Sequence, residues 1–231
     1  MTPHRDSQGS TKSVVEVWVP PVGLAGALRI PDDARGLIVF AHGSGSSRLS
    51  PRNMKVAEGL NHCGLATLLF DLLTAEEEDD RANVFNIDLL ATRLVDAVAW
   101  LGREAMTAQF PVGLFGASTG AAAALVAAAR LGEGIQAIVS RGGRPDLAGH
   151  VLDRIRVPTL LIVGGADFSV IGLNERALAR LQGPKALEIV SGASHLFPEP
   201  GALEAVIDHA ARWFARYLPG PAVAAGRAGQ D

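Results

Sequence analysis

A short stretch in the middle of the chain joins an apolar strand to an apolar helix through a tight turn bounded by glycines. It covers residues 111–130, with the sequence PVGLFGASTGAAAALVAAAR. The turn GASTG at 116–120 fits the Gly-x-Ser-x-Gly pattern of a nucleophile elbow, in which a strained corner exposes a serine hydroxyl. The helix predicted over 119–131 has no polar face, so it should be buried between layers. The stretch therefore predicts a layered α/β fold with Ser118 as its candidate nucleophile.

The composition fits one globular domain with a complete core. The chain has 231 residues, 48% of them apolar, and a formal net charge of −3, which indicates neither a nucleic-acid nor a membrane partner. Cys63 is the only cysteine, which excludes an internal disulfide and a cysteine-based zinc site, and we expect no metal and no cofactor. The polar start lacks a secretory signal, so we expect a cytoplasmic protein. We expect a single domain over 13–218 between disordered tails at 1–12 and 219–231.

Predicted strands and helices alternate along the chain after an initial pair of strands. Segments 13–19 and 24–30 are separated by a four-residue link, which predicts an antiparallel hairpin. Apolar runs predict six buried strands at 36–41, 66–70, 112–115, 135–140, 159–163 and 186–190. Helices are predicted from about 51, 85 and 119, over 174–182 with Asn174 as the cap, and over 202–218, while 74–81 reads as a charged loop. This alternation predicts a doubly wound, mostly parallel sheet of about eight strands.

Candidate catalytic residues follow three of the predicted strands. Working groups in such sheets lie on loops at the carboxyl ends of strands, and Ser118, Asp167 and His195 all lie on such loops. A serine hydroxyl needs a base to become a nucleophile, which His195 would supply, and Asp167 would orient and stabilise the imidazole. Asp146, on a neighbouring loop, is the alternative acid.

Two further groups of loop residues are candidates for substrate contacts. The loop HGSGSS at 42–47 can offer backbone N–H groups, so Ser44 and Thr119 are the candidate oxyanion-hole residues, with His42 as a structural hydrogen bonder. Arg48, Arg141 and Arg144 leave the sheet at the same edge and could bind a substrate carboxylate, the alternative being that they are solvated. The acidic run at 76–80 is predicted to be a solvated loop.

Four motifs together carry a family resemblance over residues 13–218: HGSGSS at 42–47, GASTG at 116–120, GGAD at 164–167 and GASH at 192–195. With its order Ser, Asp, His, the chain resembles the α/β-hydrolase superfamily, and within it the lidless dienelactone-hydrolase-like branch. The true dienelactone hydrolases carry cysteine in the elbow, whereas this chain has Ser118. The resemblance therefore implies the hydrolase chemistry rather than the dienelactone substrate. The short connection after residue 140 leaves no room for a lid domain.

The resemblance implies a serine hydrolase that cleaves small carboxylic esters, thioesters or lactones through an acyl-enzyme. It implies a small-molecule ester as substrate and a monomer or homodimer as the assembly. The alternatives are acyl transfer to another acceptor or perhydrolysis on the same triad, and a catalytically idle hydrolase scaffold used for binding. A nucleotide-binding Rossmann domain is excluded, because both candidate turns break the Gly-x-Gly-x-x-Gly fingerprint.

Overall fold

The computed structural model describes residues 14–218 and Gly220. The tails predicted at 1–12 and 219–231 lie outside the described residues, except for Gly220. The described chain contains eight strands: β1 Val15–Val19, β2 Leu24–Arg29, β3 Leu37–Ala41, β4 Ala66–Phe70, β5 Val112–Ala117, β6 Ala137–Arg141, β7 Thr159–Gly164 and β8 Lys185–Val190. All eight lie at the positions predicted from the hydrophobic pattern, with ends that differ by one or two residues.

The strands form one sheet in the order β1-β2-β4-β3-β5-β6-β7-β8. β1 pairs with β2, and β2 with β4, in antiparallel fashion, whereas the six strands from β4 to β8 run parallel. The predicted hairpin and the predicted doubly wound, mostly parallel sheet are therefore both confirmed. The carboxyl ends of the parallel strands meet at one edge, and this edge collects the loops that carry the candidate residues.

The described chain has seven α-helices, of which all but the short α2 and α3 cover the faces of the sheet: α1 Pro51–His62, α2 Ala75–Glu78, α3 Arg81–Val84, α4 Ile87–Leu101, α5 Thr119–Leu131, α6 Phe168–Arg180 and α7 Ala202–Tyr217. Apolar side chains of α1 and α7 pack on one face of the sheet. Those of α4, α5 and α6 pack on the other face, where α5 is buried over its first ten residues. The buried helix predicted from the absence of a polar face is confirmed.

The segment predicted as a charged loop at 74–81 forms α2 and the start of α3 instead. Thr74 and Glu77 form a capping box: the Thr74 hydroxyl accepts the Glu77 N–H at 3.2 Å, and the Glu77 carboxylate accepts the Thr74 N–H at 3.0 Å. The Asp80 carboxylate accepts the Ala82 N–H at 2.8 Å and caps α3. The loop prediction was wrong, because the high charge of the run hid its capping signals.

The prediction of a short helix capped by Asn174 was also wrong. Helix α6 already begins at Phe168 with Asp167 at the N-cap, so Asn174 lies inside it. The buried Asn174 amide donates to the Val170 carbonyl at 2.9 Å and to the Gly143 carbonyl at 3.1 Å. Asn174 therefore ties α6 to the loop after β6.

The connection from β6 to β7 is short, as predicted. It contains two single-turn 3₁₀ helices, Pro145–Ala148 and Leu152–Arg154, and no lid domain is present between residues 14 and 218. No helix in this part of the chain is both long enough and apolar enough to cross a membrane. The sheet edge above Ser118 is consequently covered only by its own loops.

Candidate active site

Ser118 occupies a strained corner between β5 and α5. Its φ of 52° and ψ of −120° lie in a region that side-chain-bearing residues rarely adopt. The corner is held by backbone hydrogen bonds, because the Ser118 N–H donates to the Arg141 carbonyl at 3.2 Å and the Arg144 N–H donates to the Ser118 carbonyl at 3.1 Å. The geometry is that of a nucleophile elbow, with the serine at the start of a buried helix.

Two glycines allow the close backbone approach on either side of this corner. A Cβ added at Gly120 would lie 2.2 Å from the Ala41 carbonyl oxygen, and one added at Gly116 would lie 2.4 Å from the Ala121 Cα. Both distances are far below van der Waals contact with backbone atoms that have little freedom to move. The elbow sequence is therefore required by the packing of α5 against β3 and β5 as well as by the turn itself.

His195 and Asp167 are joined by a hydrogen bond on the loops after β8 and β7. His195 Nδ1 lies 2.6 Å from Asp167 Oδ2, with the Asp167 side chain 9% exposed and the His195 side chain 38% exposed. The two loops are also linked by the Ala166 N–H, which donates to the Ala193 carbonyl at 2.9 Å. A carboxylate that accepts Nδ1–H leaves Nε2 as the basic nitrogen of the ring.

The histidine loop contacts the strand end that supports the serine corner. Gly142, which follows β6, has a φ of 51°, and a Cβ there would lie 3.0 Å from the His195 carbonyl oxygen and 3.6 Å from His195 Nδ1. The preceding residue, Arg141, is the one whose carbonyl accepts the Ser118 N–H. The structure thus places Ser118, His195 and Asp167 at the same sheet edge, with Gly142 packed between the serine and histidine loops.

The loop after β3 lies against the first residue of α5. The Ser44 N–H donates to the Thr119 hydroxyl oxygen at 2.9 Å, so the two predicted oxyanion-hole residues are in direct contact. A Cβ added at Gly43 would lie 3.0 Å from the Ser118 Cβ, which places this loop beside the candidate nucleophile. Thr119 is the first residue of α5, where a backbone N–H has no partner within the helix.

His42 fixes the base of the same loop. Its Nε2 accepts the Leu72 N–H at 3.1 Å, and its Nδ1 lies 3.1 Å from the Gly43 carbonyl oxygen. Because Nε2 faces a donor and Nδ1 faces an acceptor, the ring is neutral with its hydrogen on Nδ1. Burial lowers the pKa of His42, and this effect outweighs the opposing hydrogen bond to Gly43.

The three candidate arginines do not form one cluster. Arg48 forms an ion pair with Asp71, which also accepts the Arg48 N–H at 2.7 Å. Arg144 donates two hydrogen bonds to Asp146, at 2.9 Å and 2.8 Å. Hydrogen bonding to Arg144 lowers the pKa of the Asp146 carboxyl. Asp146, the alternative triad acid, is therefore held by an arginine, whereas Asp167 is bonded to His195. Arg141 is buried and 6% exposed.

A cavity of about 620 Å³ lies beside the oxyanion loop. Its walls are the loop residues 44–47 on one side and the α2–α3 segment on the other, with Glu78, Asp79, Arg81, Val84 and Phe85 in its lining. Arg81 lies over the Phe85 ring, with its guanidinium carbon 5.7 Å from the ring centre. In the described part of the chain, no group of three or more His, Cys, Asp or Glu side chains is arranged to hold a metal ion.

Several contacts at this site could not be foreseen from the sequence. Three contacts depend on loop conformation: Arg48 with Asp71, the Ser44 N–H with the Thr119 hydroxyl, and Arg141 with the Phe197 ring. Only the capping signals Thr74 and Glu77 could have indicated that the acidic run forms a wall of the cavity.

A model of the dienelactone hydrolase family matches residues 24–218. The crystal structure of a dienelactone hydrolase from Anabaena variabilis is 58% identical to the chain, with a TM-score of 0.85 over 89% of this chain and 97% of that one.

Other solved structures share the fold at low identity. Est1E from Butyrivibrio proteoclasticus has a TM-score of 0.75 at 15% identity, covering 89% of this chain and 98% of that one. A protein from Xanthomonas campestris, described as a serine hydrolase without a lid, has a TM-score of 0.71 at 20% identity, covering 91% of this chain and 97% of that one.

A protein of Mycobacterium tuberculosis strain H37Rv, whose provisional name is phosphoribosyl transferase, is 58% identical over 207 residues. The match covers 90% of this chain but 47% of that protein, so the chain spans about half the length of this relative. A protein of the same name from strain CDC 1551 gives the same figures.

Proposed function

Because the chain belongs to the dienelactone hydrolase family, we propose that it is a serine hydrolase of small carboxylic esters, thioesters or lactones. The observation that carries this proposal is the hydrogen bond of 2.6 Å between His195 Nδ1 and Asp167 Oδ2, at the sheet edge where Ser118 occupies a strained elbow. This is the arrangement that serine acyl transfer needs: a nucleophile, a base and an acid that orients the base.

In the proposed mechanism His195 Nε2 removes the proton from the Ser118 hydroxyl as its oxygen attacks the acyl carbon. The backbone N–H of Thr119, at the start of α5, stabilises the oxyanion that forms. The Ser44 N–H, which donates to the Thr119 hydroxyl in this structure, joins it by leaving that contact. The tetrahedral intermediate collapses to an acyl-enzyme, and His195 gives its proton to the departing alcohol or thiol. A water molecule then repeats the sequence, releases the acid and restores Ser118. Asp167 keeps the imidazole oriented and stabilises its protonated form throughout.

Replacing Ser118 by alanine tests the proposal directly. We expect Ser118→Ala to lower turnover of a chromogenic ester by a factor on the order of 10⁶ and to abolish covalent labelling by a fluorophosphonate, with the melting temperature unchanged. Because a triad lacking its nucleophile keeps only the catalysis of the oxyanion hole, a variant with more than about a hundredth of wild-type activity would refute the assignment.

Two alternatives use the same scaffold and have separate tests. Transfer of the acyl group to an acceptor other than water, or perhydrolysis, would appear as ester or peracid products when competing alcohols or peroxide are supplied. A scaffold used only for binding would leave the purified wild-type chain unlabelled by the fluorophosphonate. The cytoplasmic location and the oligomeric state stay predictions.

The name of the Mycobacterium tuberculosis relatives supplies a second candidate function, the transfer of a phosphoribosyl group. This chain matches only about half of those proteins, and we assign the transferase activity to the half that it does not match. The test incubates the purified chain with phosphoribosyl diphosphate, Mg²⁺ and a panel of nucleobases. We expect no release of diphosphate, and a nucleobase-dependent release would favour the transferase instead.

A further inference from the structure

Arg141 is a buried cation at the sheet edge that carries the candidate triad. It is the last residue of β6 and lies one position before Gly142, which packs on His195. Its Nη2 donates a hydrogen bond of 3.3 Å to Asn53 Oδ1 in the first turn of α1. Nε and Nη1 are buried and have no hydrogen-bond partner among the described residues. The side chain therefore lies between the sheet edge and α1, away from bulk solvent.

Among the described residues, no carboxylate forms an ion pair with Arg141, unlike Arg48 and Arg144. Burial, together with the nearby charge of Arg52, lowers the pKa of Arg141 to about 10, so the group is still a cation at neutral pH. A buried cation without an acid partner carries a large desolvation cost. Because burying Arg141 destabilises the fold, we expect this side chain to contribute to function rather than to stability.

Besides the hydrogen bond to Asn53, Arg141 contacts the ring of Phe197. The guanidinium carbon lies 6.0 Å from the centre of this ring, within the range of a cation–π interaction, and Phe197 itself is 1% exposed. Nε and Nη1 are buried, and Nη2 already donates to Asn53, so the guanidinium does not face the open side of the sheet edge where a substrate carboxylate would lie.

Phe197 belongs to the turn that holds His195. Its N–H donates to the Ser194 carbonyl at 3.1 Å and closes the turn around the histidine. Its φ of 56° is unfavourable for a residue with a side chain, so surrounding contacts must maintain this conformation. A Cβ added at Gly142 would lie 3.4 Å from the Phe197 ring, which shows how closely the end of β6 packs on the turn.

We propose that Arg141 is a positioning residue that holds the His195 turn in place through the Phe197 ring, and that it does not contact the substrate. This inference rests on the proposed function. Its physical basis is that a shift of about 1 Å in a catalytic base can cost on the order of 10² in rate, although the substrate still binds. The expected signature is therefore a loss of kcat without a change in KM.

A double-mutant cycle tests this proposal on a chromogenic ester. We expect Arg141→Met and Phe197→Leu each to lower kcat about tenfold with KM unchanged within twofold. The double variant should show no further loss, because each substitution breaks the same contact. Arg141→Lys keeps the cation and should restore part of the loss. Arg216→Met is the matched control: Arg216 lies 5.2 Å from the Tyr217 ring on α7, and this variant should leave kcat and KM unchanged.

Three outcomes would overturn the inference: a raised KM with unchanged kcat in Arg141→Met, a double variant whose loss is the product of the single losses, or an Arg141→Met variant as active as Arg216→Met. If Arg141→Met does not show a cooperative melting transition, the same cycle is run with Arg141→Gln, which also removes the cation. Hydrolysis and fluorophosphonate labelling of the wild type are measured first. If both are absent, the proposed function itself is rejected. If the wild type is active and the variants are unaffected, only the role of Arg141 is rejected.

Discussion

At the scale of single residues, Thr119 contributes more than its backbone to the candidate oxyanion hole. Its hydroxyl oxygen accepts the Ser44 N–H at 2.9 Å, and the same hydroxyl keeps its own hydrogen free to donate. The contact holds the loop after β3 beside Ser118 before a substrate arrives. When an oxyanion forms, the hydroxyl can donate its hydrogen beside the Thr119 N–H, whereas the Ser44 N–H is occupied by this contact until it turns away.

We therefore predict that Thr119→Val lowers kcat by about ten- to a hundredfold, because valine has the same shape but neither accepts the Ser44 N–H nor donates to the oxyanion. Thr119→Ser retains the hydroxyl and should stay within about threefold of wild type. Steady-state kinetics on one ester measures both variants. A Thr119→Val enzyme as active as Thr119→Ser would show that the hydroxyl contributes nothing.

His42 makes the same loop sensitive to acid. Its folded-state pKa is lowered by burial, so below about pH 6.5 the unfolded chain binds the proton more readily than the folded one. Stability from this group is thus complete above the unfolded pKa and is lost as pH falls toward the folded pKa. Protonation would also put a second donor against the Leu72 N–H.

We expect the free energy of unfolding to fall by up to about 1.4 kcal/mol per pH unit below pH 6.5, which corresponds to a fall of roughly 3–6 °C in melting temperature. Carboxyl groups such as Asp146, whose pKa is lowered by Arg144, lose their contribution only at lower pH. Between pH 7 and pH 5, the melting temperature should therefore fall less steeply with pH for His42→Gln than for wild type. His62→Gln, on the exposed side of α1, should follow wild type, and equal slopes for all three proteins would refute the assignment.

At the scale of elements, the packing of α5 against β3 and β5 depends on two glycines, Gly116 and Gly120. The Cβ of an alanine at position 120 would collide with the carbonyl oxygens of Ala41 and His42, at 2.2 Å and 2.4 Å. These atoms belong to the end of β3, so relieving the collision would move the strand end that carries the oxyanion loop.

Gly120→Ala should lower the free energy of unfolding by about 3 kcal/mol or more and the melting temperature by about 6 °C or more. Gly102→Ala is the matched control, because its Cβ would lie 3.6 Å from the Val98 carbonyl oxygen, an ordinary contact at the end of α4. Thermal unfolding of the two variants gives the comparison, and similar melting temperatures would contradict the packing argument.

The elements most accurately predicted from the sequence are those whose local pattern and tertiary environment agree. The buried strands and α5 could be predicted because an apolar segment in a doubly wound fold is stable only where both of its faces are covered. The elements missed were decided by side-chain contacts at a distance. Helix α6 begins at Phe168, six residues before the predicted cap Asn174, whose amide bonds to the Gly143 carbonyl across the fold, a contact that periodicity does not reveal.

The features of the candidate site also fall into those that the sequence predicts and those that depend on distant contacts. Turn chemistry and order on the chain predict Ser118, Asp167 and His195 as the candidate triad, and their placement at one edge follows from parallel strand direction. The partners of Arg48, Arg141 and Arg144 could not be predicted, because each depends on which acid or ring the folded loops bring near.

At the scale of the whole molecule, the charges around the candidate site favour a substrate without a carboxylate. Arg48 and Arg144 are paired with Asp71 and Asp146. The cavity beside the oxyanion loop has two carboxylates, Glu78 and Asp79, and one guanidinium, Arg81, in its lining. An anionic substrate group placed there meets a net negative wall.

We predict that a choline ester and its uncharged carbon isostere have higher kcat/KM than an ester of equal length that ends in a carboxylate. Exposed charges are worth only about 0.2–1 kcal/mol, so the preference should be about two- to fivefold at low salt and vanish in concentrated salt. Glu78→Gln should reduce it, whereas Glu76→Gln, on the same helix but outside the cavity lining, should not. A faster reaction with the carboxylate ester would contradict this charge argument.

The alanine-rich α5 has a consequence for how sharply Ser118 is positioned. Seven of the thirteen residues in this helix are alanine, and its first ten residues are buried. Alanine has no χ angle, so this part of the helix loses almost no side-chain entropy on burial and has almost no alternative rotamers to occupy. Neighbouring layers therefore contact a surface with few internal degrees of freedom. The candidate nucleophile Ser118 is therefore held at the end of a support with few alternative side-chain arrangements.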